Sequence, residues 1–581
     1  MKEGIFVDCR KLQKKVRKVY GNDVCVREED GNVVLSGRLK SWDAIVGACT
    51  MCVDKKRRYH VINDLQLLGV TPPKMKVPEI QDQALDGRKP DVLIIGGGIS
   101  GASIARELMK WKLDVLLVDK EADVAMHASG RNDGEVHPGI DLGKGTLKQK
   151  YVIQGNRMYG RICKELDVPF RRCGQYVGMM HWSEFLPAAL YVWQRKHICG
   201  VSDARLMPAK VLRRREPHLN KDIKFAVYNS SAGTVCPYGL TIAYAENAAA
   251  NGAEIALNTA VLSMETEGGR IKSVLTNRGR IYPKLVINAA GVFAEDVAKM
   301  AGDRFYSIHP RRGTNAILDK KAGYMMKGIA SWKTLKKSAG HTKGGGIVHT
   351  AHDNLLVGPD AIETYEKENF ATESASIENN FNKQRKAVGE LSERDIITYF
   401  TGVRAPTFEE DFVIEPGRRC HNLIHCAGIQ SPGLTTAPAV AKDVAYMAAK
   451  MVSKYRPVRR NEAYNPYRKG VPRLKEMRLK ERNALIKKRP DYGVMICRCE
   501  EVSKGEIIDA LMSPLPVYTV DGIKKRVRPG MGRCQGGFCM PLVAGIISEV
   551  TGQPLEKVKK SGGDSYLLFG KTKAGDSNAR K

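Results

Sequence analysis

The chain has 581 residues, of which 43% are hydrophobic and 27% are charged, and its formal net charge is +31. This composition is typical of a globular protein of about three or four domains. No apolar run reaches the roughly 18 residues that a membrane span needs. Residues 1–10 lack the apolar core of a signal peptide, so we expect a cytoplasmic protein. Its fourteen cysteines are then expected to be reduced thiols or metal ligands rather than disulfides.

The positive charge has three possible explanations that involve a partner, namely nucleic acid, a membrane surface and a small anionic substrate. A lysine-rich solubilising surface explains it equally well. Nucleic acid is the least supported, because the cations are not interleaved with aromatic residues in a recognisable motif. The densest run, Lys454–Arg489, holds 14 Lys or Arg against 3 Glu and is interpreted as part of a linker over 456–490. We therefore predict no nucleic-acid partner and keep contact with the inner face of a membrane as an alternative.

Residues 1–70 are expected to form a separate small α/β module. Gly31–Leu39 alternates like a strand, Asp43–Lys56 has helical character and Tyr59–Leu65 is typical of a second strand. Through its segments VLSG and VINDL this module resembles the BON-type domains, a family associated with membranes or with protein docking. The lone C-x-x-C of Cys49 and Cys52 is interpreted as two packed small residues rather than a metal or redox pair. The proline-containing residues 71–90 are predicted to be a linker.

Residues 91–132 carry the pattern that most constrains the rest of the chain. The apolar run Val92–Ile95 leads directly into Gly96, Gly98 and Gly101 with G-x-G-x-x-G spacing. The three glycines would allow a tight turn, close approach of backbone to a pyrophosphate and close packing of helix on strand. A second apolar strand, Val115–Val118, ends in Asp119, whose carboxylate could accept hydrogen bonds from ribose hydroxyls. The pattern predicts a dinucleotide site and admits NAD as well as FAD.

Three further segments carry a family resemblance, namely SGRNDGEVHPGI (129–140), GVRAP (402–406) and CAGIQSPGLTTAPA (426–439). With them, residues 91–455 resemble the FAD oxidoreductases of D-amino-acid-oxidase type, in the branch that holds glycerol-3-phosphate and L-2-hydroxyglutarate dehydrogenases. The resemblance implies an FAD site and, in the G-R-N-x-G-x-x-H segment, a stretch that runs beside the isoalloxazine ring. The expected fold class is α/β, a Rossmann-like FAD-binding domain with an inserted α+β substrate domain from about 170–225 and 306–395.

Four cysteines near the end of the chain have the spacing of a metal centre. Cys497 and Cys499 form C-x-C, and Cys534 and Cys539 form C-x4-C. Four thiolates in two close pairs suit a [2Fe–2S] cluster, and they also suit zinc. The segment is similar to the bacterioferritin-associated-ferredoxin-like domains, which carry [2Fe–2S], and this favours the cluster. The small [2Fe–2S] domain is expected over 491–560, followed by a tail at 571–581.

The resemblance assigns most of the candidate site residues. His137 is our first choice for the base that takes the hydroxyl proton of an alcohol, His349 is the second and His352 the third. Arg404 is the first choice for an anion anchor, with Arg312 and its neighbour Arg311 as companions of which only one is expected to reach the pocket. The expected FAD contacts are Gly96, Gly98, Gly101, Asp119, Arg131, Asn132, Gly291, Gly428, Gln430, Ser431, Gly433, Leu434 and Thr435.

These expectations combine into an FAD- and [2Fe–2S]-dependent dehydrogenase of a small anionic secondary alcohol, with sn-glycerol 3-phosphate as the first choice and an L-2-hydroxy acid as the second. The electrons would leave through the cluster to a partner subunit or a quinone-linked carrier. The segment after His137 lacks the aromatic residues often found there in the family, which bears on the identity of the substrate. Amine oxidation and a non-enzymatic electron-transfer subunit are the other interpretations.

Overall fold

The computed structural model describes residues 7–54, 56, 58–332 and 345–570 of the chain. The predicted tail at 571–581 lies outside these residues. No helix within the described ranges is long and apolar enough to cross a membrane.

The N-terminal module is a three-stranded sheet covered by two helices, of which the sequence predicts the second and third strands and the helix between them but not the first helix and strand. Strand β1 is antiparallel to β2, and β2 is parallel to β3. Cys49 and Cys52 are buried in its core, where burial raises the pKa of Cys49 and raises that of Cys52 to about 11. Both are thus packed thiols, as expected. The elements are α1 Cys9–Tyr20, β1 Val24–Glu29, β2 Asn32–Leu39, α2 Trp42–Met51 and β3 Val61–Leu67.

The nucleotide-binding core is a six-stranded sheet in the order β12-β5-β4-β16-β24-β23. All its pairs are parallel except β23 with β24. Its four central strands are mostly apolar and are buried along their whole length, as expected for a parallel sheet with helices on its faces. The strands are β4 Val92–Ile95, β5 Val115–Val118, β12 Glu254–Ala256, β16 Leu285–Asn288, β23 Val413–Pro416 and β24 Leu423–Ala427.

Five helices pack on this sheet and two small sheets accompany it. The helices are α3 Ile99–Leu108, α4 Leu147–Glu165, α7 Pro237–Ala250, α8 Ala294–Met300 and α10 Gly433–Val452. The small sheets contain β6 Glu135–Val136, β7 Phe170–Arg171 and β11 Gly233–Val235, and β13 Val261–Glu267, β14 Arg270–Thr276 and β15 Gly279–Ile281.

The substrate domain is a nine-stranded mixed sheet, in the order β21-β17-β20-β19-β18-β8-β10-β9 with β22 paired to β17. It extends beyond the predicted boundaries, because β10 continues to residue 229 and β22 lies wholly after residue 395. Its strands are β8 Gln175–Met179, β9 Ala204–Pro208, β10 Phe225–Asn229, β17 Arg311–Leu318, β18 Ile329–Trp332, β19 Gly346–His349, β20 Leu355–Gly358, β21 Ile362–Glu363 and β22 Ile396–Arg404. Its helices are α5 Phe185–His197, α6 Ala209–Arg215 and α9 Ser374–Gln384.

The basic segment 456–490 is a packed strap rather than a loose linker. Three of its arginines, Arg456, Arg468 and Arg473, pair with acids of the nucleotide-binding domain, namely Asp91, Glu246 and Asp167. Helix α11, Leu479–Lys488, also lies in this segment. The cations that suggest a solvated linker in the sequence are therefore in part neutralised by ion pairs.

The C-terminal domain follows the strap. It consists of β25 Met495–Cys497, β26 Val502–Ser503, α12 Lys504–Leu511, α13 Val520–Val527 and α14 Met540–Thr551. Its own apolar core is built from residues of the three helices.

Candidate functional site

A cavity of about 340 Å³ lies between the nucleotide-binding core and the substrate domain. Its walls include the glycine turn after β4, the end of β5 and the turn after β16. The opposite wall includes residues of the substrate sheet. Ligands of open α/β sheets bind outside the carboxyl ends of the strands, and the cavity occupies this position.

The glycine turn is packed too tightly for side chains at two of its positions. A Cβ at Gly96 would lie 2.4 Å from the carbonyl oxygen of Ala289, and one at Gly101 would lie 1.8 Å from that of Gly96. Gly96 also has a φ of 111°, in the region that favours glycine. Gly98 caps helix α3 without a side chain, so the positive end of that helix faces the cavity wall.

Asp119 lines the cavity and also holds the glycine turn in place. One of its carboxylate oxygens accepts from Gly97 N–H at 2.5 Å and the other accepts from Glu121 N–H at 2.8 Å. Burial raises the pKa of Asp119, and the two backbone donors oppose this. The predicted contact with ribose remains a prediction, since a carboxylate can accept further hydrogen bonds.

Arg131 and Asn132 line the cavity in the segment after β5. Arg131 donates from Nε to the carbonyl of Met126 at 2.9 Å, and its guanidinium lies 4.1 Å from the ring centroid of Phe370. Asn132 donates to the carbonyls of Ala128 and Ser129. Both side chains therefore shape the wall by holding its backbone.

The loop between β24 and α10 and the start of α10 form another part of the cavity wall, which we call the far wall. It contains most of the predicted flavin-wrapping residues, namely Gln430, Ser431, Gly433 and Leu434. Gly291 also lines the cavity, and a Cβ there would meet no atom within 4 Å, so the backbone leaves room for a bound group. Two predicted residues lie behind the wall and need correction. A Cβ at Gly428 would approach the carbonyl of Asp411 at 2.8 Å, and the fully buried Thr435 accepts from the N–H of His137 at 2.8 Å.

His137 lines the cavity together with Asp141, four residues later. Its Nδ1 accepts from Gly139 N–H at 2.9 Å, and its Nε2 is 3.3 Å from Oδ1 of Asp141. A neutral imidazole donates at one nitrogen and accepts at the other. The hydrogen of the neutral ring therefore lies on Nε2, beside the carboxylate.

Arg404 reaches the cavity at the end of β22. Its Nη2 donates to the carbonyl oxygen of Asp360 at 2.9 Å, and within the described ranges no carboxylate forms an ion pair with it. Burial lowers the pKa of Arg404. Gly313 makes room for the guanidinium, because a Cβ there would lie 2.1 Å from Nη2 of Arg404.

The other predicted catalytic residues do not line the cavity. His349 directs Nδ1 to the carbonyl of Met326 at 2.5 Å, because strand alternation places its neighbour Val348 on the cavity side instead. Arg312 pairs with Glu373, and Arg311 pairs with Glu363 and Glu410. We had expected one of these arginines to reach the pocket, but carboxylates hold both outside it.

The structure brings the four predicted cysteines together across the two motifs. Sγ of Cys499 is 3.7 Å from Sγ of Cys534. Burial and the neighbouring Cys497 raise the pKa of Cys539 to about 12. At Cys534 burial is outweighed by backbone N–H donors, which lower its pKa. The cysteines thus form two close pairs, Cys499 with Cys534 and Cys497 with Cys539, and each pair contains one thiol from each motif. Four sulfur donors fit a [2Fe–2S] cluster.

The segment 123–131 connects the C-terminal domain, which carries the four cysteines, to the cavity. Asp123 forms a buried ion pair with Arg526 of α13, with contacts of 2.9 and 3.2 Å. Met126 contacts Lys525 through its sulfur and accepts from Arg131 through its carbonyl. The same stretch therefore carries the C-terminal domain on one side and lines the cavity on the other.

Sequence reasoning overlooked Asp141 and Gly313. The departure from the family pattern after His137 marks this stretch as unusual, and Asp141 follows it directly. Gly313 follows Arg311 and Arg312 directly, yet no local pattern indicates that β22 would bring Arg404 beside it.

Comparison with known proteins matches two families. The model of the FAD dependent oxidoreductases matches residues 91–447, and that of the BFD-like [2Fe-2S] binding domains matches residues 495–549. A glycerol 3-phosphate dehydrogenase of Caloramator mitchellensis is 36% identical over 484 residues, which are 83% of this chain and 99% of that protein. Anaerobic glycerol-3-phosphate dehydrogenase subunit A1 of Haloferax volcanii is 26% identical, over 78% of this chain and 81% of that protein.

Among solved structures, the dithionite-reduced L-alpha-glycerophosphate oxidase of Mycoplasma pneumoniae with FAD bound has a TM-score of 0.59 and 23% identity. It covers 66% of this chain, and the match spans 98% of that protein.

Replacement of Cys499 by Ala is expected to remove the iron–sulfur centre and leave the cavity unchanged, because Cys499 is exposed at the edge of the C-terminal domain. The purified variant should lose bound iron and the cluster signal in electron paramagnetic resonance while it keeps its flavin. The matched control is Cys25→Ala, another exposed cysteine, in the N-terminal module. Full iron content in Cys499→Ala would contradict the assignment of this ligand.

Proposed function

The chain belongs to the family of FAD dependent oxidoreductases, and we propose that it is a dehydrogenase that oxidises sn-glycerol 3-phosphate and passes the electrons to a separate acceptor. It binds FAD and a [2Fe–2S] cluster. The observation that carries the proposal is that one cavity holds both the His137–Asp141 pair and the half-buried side chain of Arg404. A relative that covers most of the chain is called a glycerol 3-phosphate dehydrogenase, which supports this choice of substrate.

Arg404 is proposed to bind the phosphate of the substrate. A half-buried guanidinium without a carboxylate in ion-pair contact has lost part of its hydration, and an anion can restore its hydrogen bonds. The bond to the Asp360 carbonyl uses one donor and leaves other N–H groups for oxygen atoms of a ligand. A carboxylate would satisfy the same donors, so an L-2-hydroxy acid is the alternative substrate.

The His137–Asp141 pair is proposed to take the proton of the substrate hydroxyl. Because Nδ1 accepts from Gly139 N–H, the neutral ring of His137 presents its Nε2–H to Asp141. The proton passes to the carboxylate of Asp141, which the Nε2–H of His137 positions. This step transfers one proton to the pair, and it extends the sequence-based choice of His137 alone.

Bound FAD accepts two electrons as a hydride from the carbinol carbon, whereas a [2Fe–2S] cluster passes electrons singly. The residues of this chain hold the two sites together through Asp123 and Met126. The other side of the cluster domain faces solvent, since Cys499 is exposed and Phe538, between two ligands, is 84% exposed. We propose that a partner subunit or a quinone-linked carrier accepts electrons at this surface.

The N-terminal module is proposed to be BON-like and to act in docking. Its α-β-β-α-β order and its VLSG and VINDL segments support this. It is held on the catalytic domain by Glu409, which accepts from Val61 N–H at 2.7 Å, and by an ion pair of Arg304 with Asp64 at 2.6 Å.

Two other classes of function give different experimental results. An amine oxidoreductase would oxidise sarcosine or glycine and would not need the base. A non-enzymatic electron-transfer subunit would bind FAD, but no small substrate would bleach it.

The substrate is tested by anaerobic addition of glycerol 3-phosphate to the purified holoenzyme. The visible absorbance of the bound flavin should decrease, and the cluster signal should then change as electrons reach it. L-2-hydroxyglutarate and sarcosine serve as comparisons in the same assay. Bleaching by either of these but not by glycerol 3-phosphate would overturn the choice of substrate, and no bleaching by any would favour the electron-transfer subunit.

The anion anchor is tested with Gly313→Ala, because the added methyl group would displace the guanidinium of Arg404. The loss of one hydrogen bond to a charged group weakens binding by about 10- to 100-fold, and we expect KM to rise by that factor. FAD should remain bound. The control is Gly160→Ala on α4, where a Cβ meets no atom within 4 Å. An unchanged KM in Gly313→Ala and in Arg404→Met would contradict the role of Arg404.

The base is tested with His137→Ala and Asp141→Asn. Each should slow anaerobic flavin bleaching by about 10²- to 10⁴-fold. In both variants the residual rate should rise with pH, because hydroxide then replaces the missing base. Glu373→Gln, a carboxylate variant outside the cavity, is the control. A full rate in His137→Ala would instead favour amine oxidation.

A further inference from the structure

The outer face of helix α5 carries large apolar side chains that are exposed to solvent. Trp182 is 65% exposed, Leu186 68%, Leu190 61% and Trp193 57%. Phe185 and Ile198 are exposed as well, so six such residues lie within 17 positions. Contiguous apolar patches of this kind mark interaction sites in globular proteins. We call residues 182–198 the α5 face.

The helix itself is firmly held, so the exposure does not come from a loosely attached segment. Its inner residues Ala188 and Val192 are buried. Tyr191 donates from its hydroxyl to the carbonyl of Ile140 at 2.6 Å, and Arg195 donates to that of Leu142 at 2.5 Å. At the start of the helix, the ring of Trp182 is stacked 5.9 Å from that of Phe225. The exposed side chains therefore project from a fixed support.

The surroundings of the α5 face are strongly basic. Residues 182–215 contain seven Lys or Arg against two acids, Glu184 and Asp203. Lys196 and His197 are exposed in the last turn of α5, and Lys210, Arg213 and Arg214 are exposed on α6. Helix α6 begins directly after β9, a strand against which α5 packs. The apolar residues are thus bordered by cations.

We propose that the α5 face binds the surface of an anionic lipid bilayer. A helix with Trp, Phe and Leu on one side and cations beside them matches the chemistry of the interface, where apolar side chains enter the acyl boundary and cations contact anionic headgroups. Tryptophan in particular favours this region, since its ring is apolar and its N–H is polar.

A second copy of this chain is a poorer match, because two such faces would bring like charges together. The charge pattern also fits an acidic protein, but the two tryptophans and the two leucines offer a broad apolar surface with few groups for directed hydrogen bonds. The proposal does not depend on the substrate, since the α5 face lies outside the cavity. It would place the enzyme at a membrane surface.

The test uses the holoenzyme with vesicles of phosphatidylcholine alone and of phosphatidylcholine with phosphatidylglycerol in equal parts. The protein should sediment with the anionic vesicles at low salt, and the fluorescence of its tryptophans should shift to the blue. Binding should weaken as salt is added and should be much weaker with phosphatidylcholine alone.

Two variants identify the surface. The first is a double variant, Leu186→Ser combined with Trp193→Ser. It should weaken vesicle binding by at least ~10-fold for each side chain removed. Arg213→Glu with Arg214→Glu should reduce the preference for anionic vesicles. The matched control is Leu479→Ser, an exposed leucine on α11 that is 71% accessible. Because all these residues are exposed, flavin content and flavin bleaching by substrate should stay unchanged.

Three results would overturn the proposal. The first is an absence of binding to anionic vesicles at low salt. The second is binding by the Leu186 and Trp193 double variant that equals the binding of the unmodified protein. The third is a change from dimer to monomer in that variant, measured by sedimentation in the absence of lipid, which would make the α5 face an interface between copies of the chain.

Discussion

The half-buried carboxylate of Glu410 is the contact on which the arrangement of the cavity depends. It accepts from Arg311 of β17 at 2.7 Å, lies 3.7 Å from Nζ of Lys148 in α4 and accepts from Gln430 in the far wall. Burial alone would raise its pKa, but Arg311 and Lys148 outweigh burial and bring the pKa to about 2. Arg311 is buried, so removal of the Glu410 carboxylate would leave part of its guanidinium without a partner. One side chain thus joins the substrate sheet, the helix after His137 and the loop before α10.

The residues on either side of Glu410 extend the connection in both directions. Asp411 accepts from the N–H groups of Leu147 and Lys148 at the start of α4. Phe408 packs in the core of the N-terminal module and Glu409 binds its strand β3. Because β22 ends in Arg404 just before this loop, the module and the anion anchor are attached to the same stretch of backbone. This explains why a domain with its own core is part of the frame of the site.

The sequence was sufficient where local chemistry decides the structure. The glycine turn at Gly96 and the four cysteines depend on spacing along the chain, and both were predicted. Residues whose role depends on which face of a strand they occupy were not predictable from one sequence. His349 lies one position from Val348, which lines the cavity, and Arg312 lies next to Gly313, which also lines it. A shift of one residue reverses the face of a strand, so a correct segment can still give a wrong side chain.

The large positive charge has two different physical roles in the folded chain, which composition alone could not separate. In the strap, Arg456, Arg468 and Arg473 meet carboxylates of the nucleotide-binding domain and hold the C-terminal domain's connection in place. Around α5 and α6 the cations have few acids near them in the sequence and border an apolar surface. Charges that are paired within the fold contribute little to the outer field, whereas a cluster with few acids attracts anions over a distance of about 10 Å at moderate salt. The exposed cations of α5 and α6 are therefore available to a partner beside the α5 face.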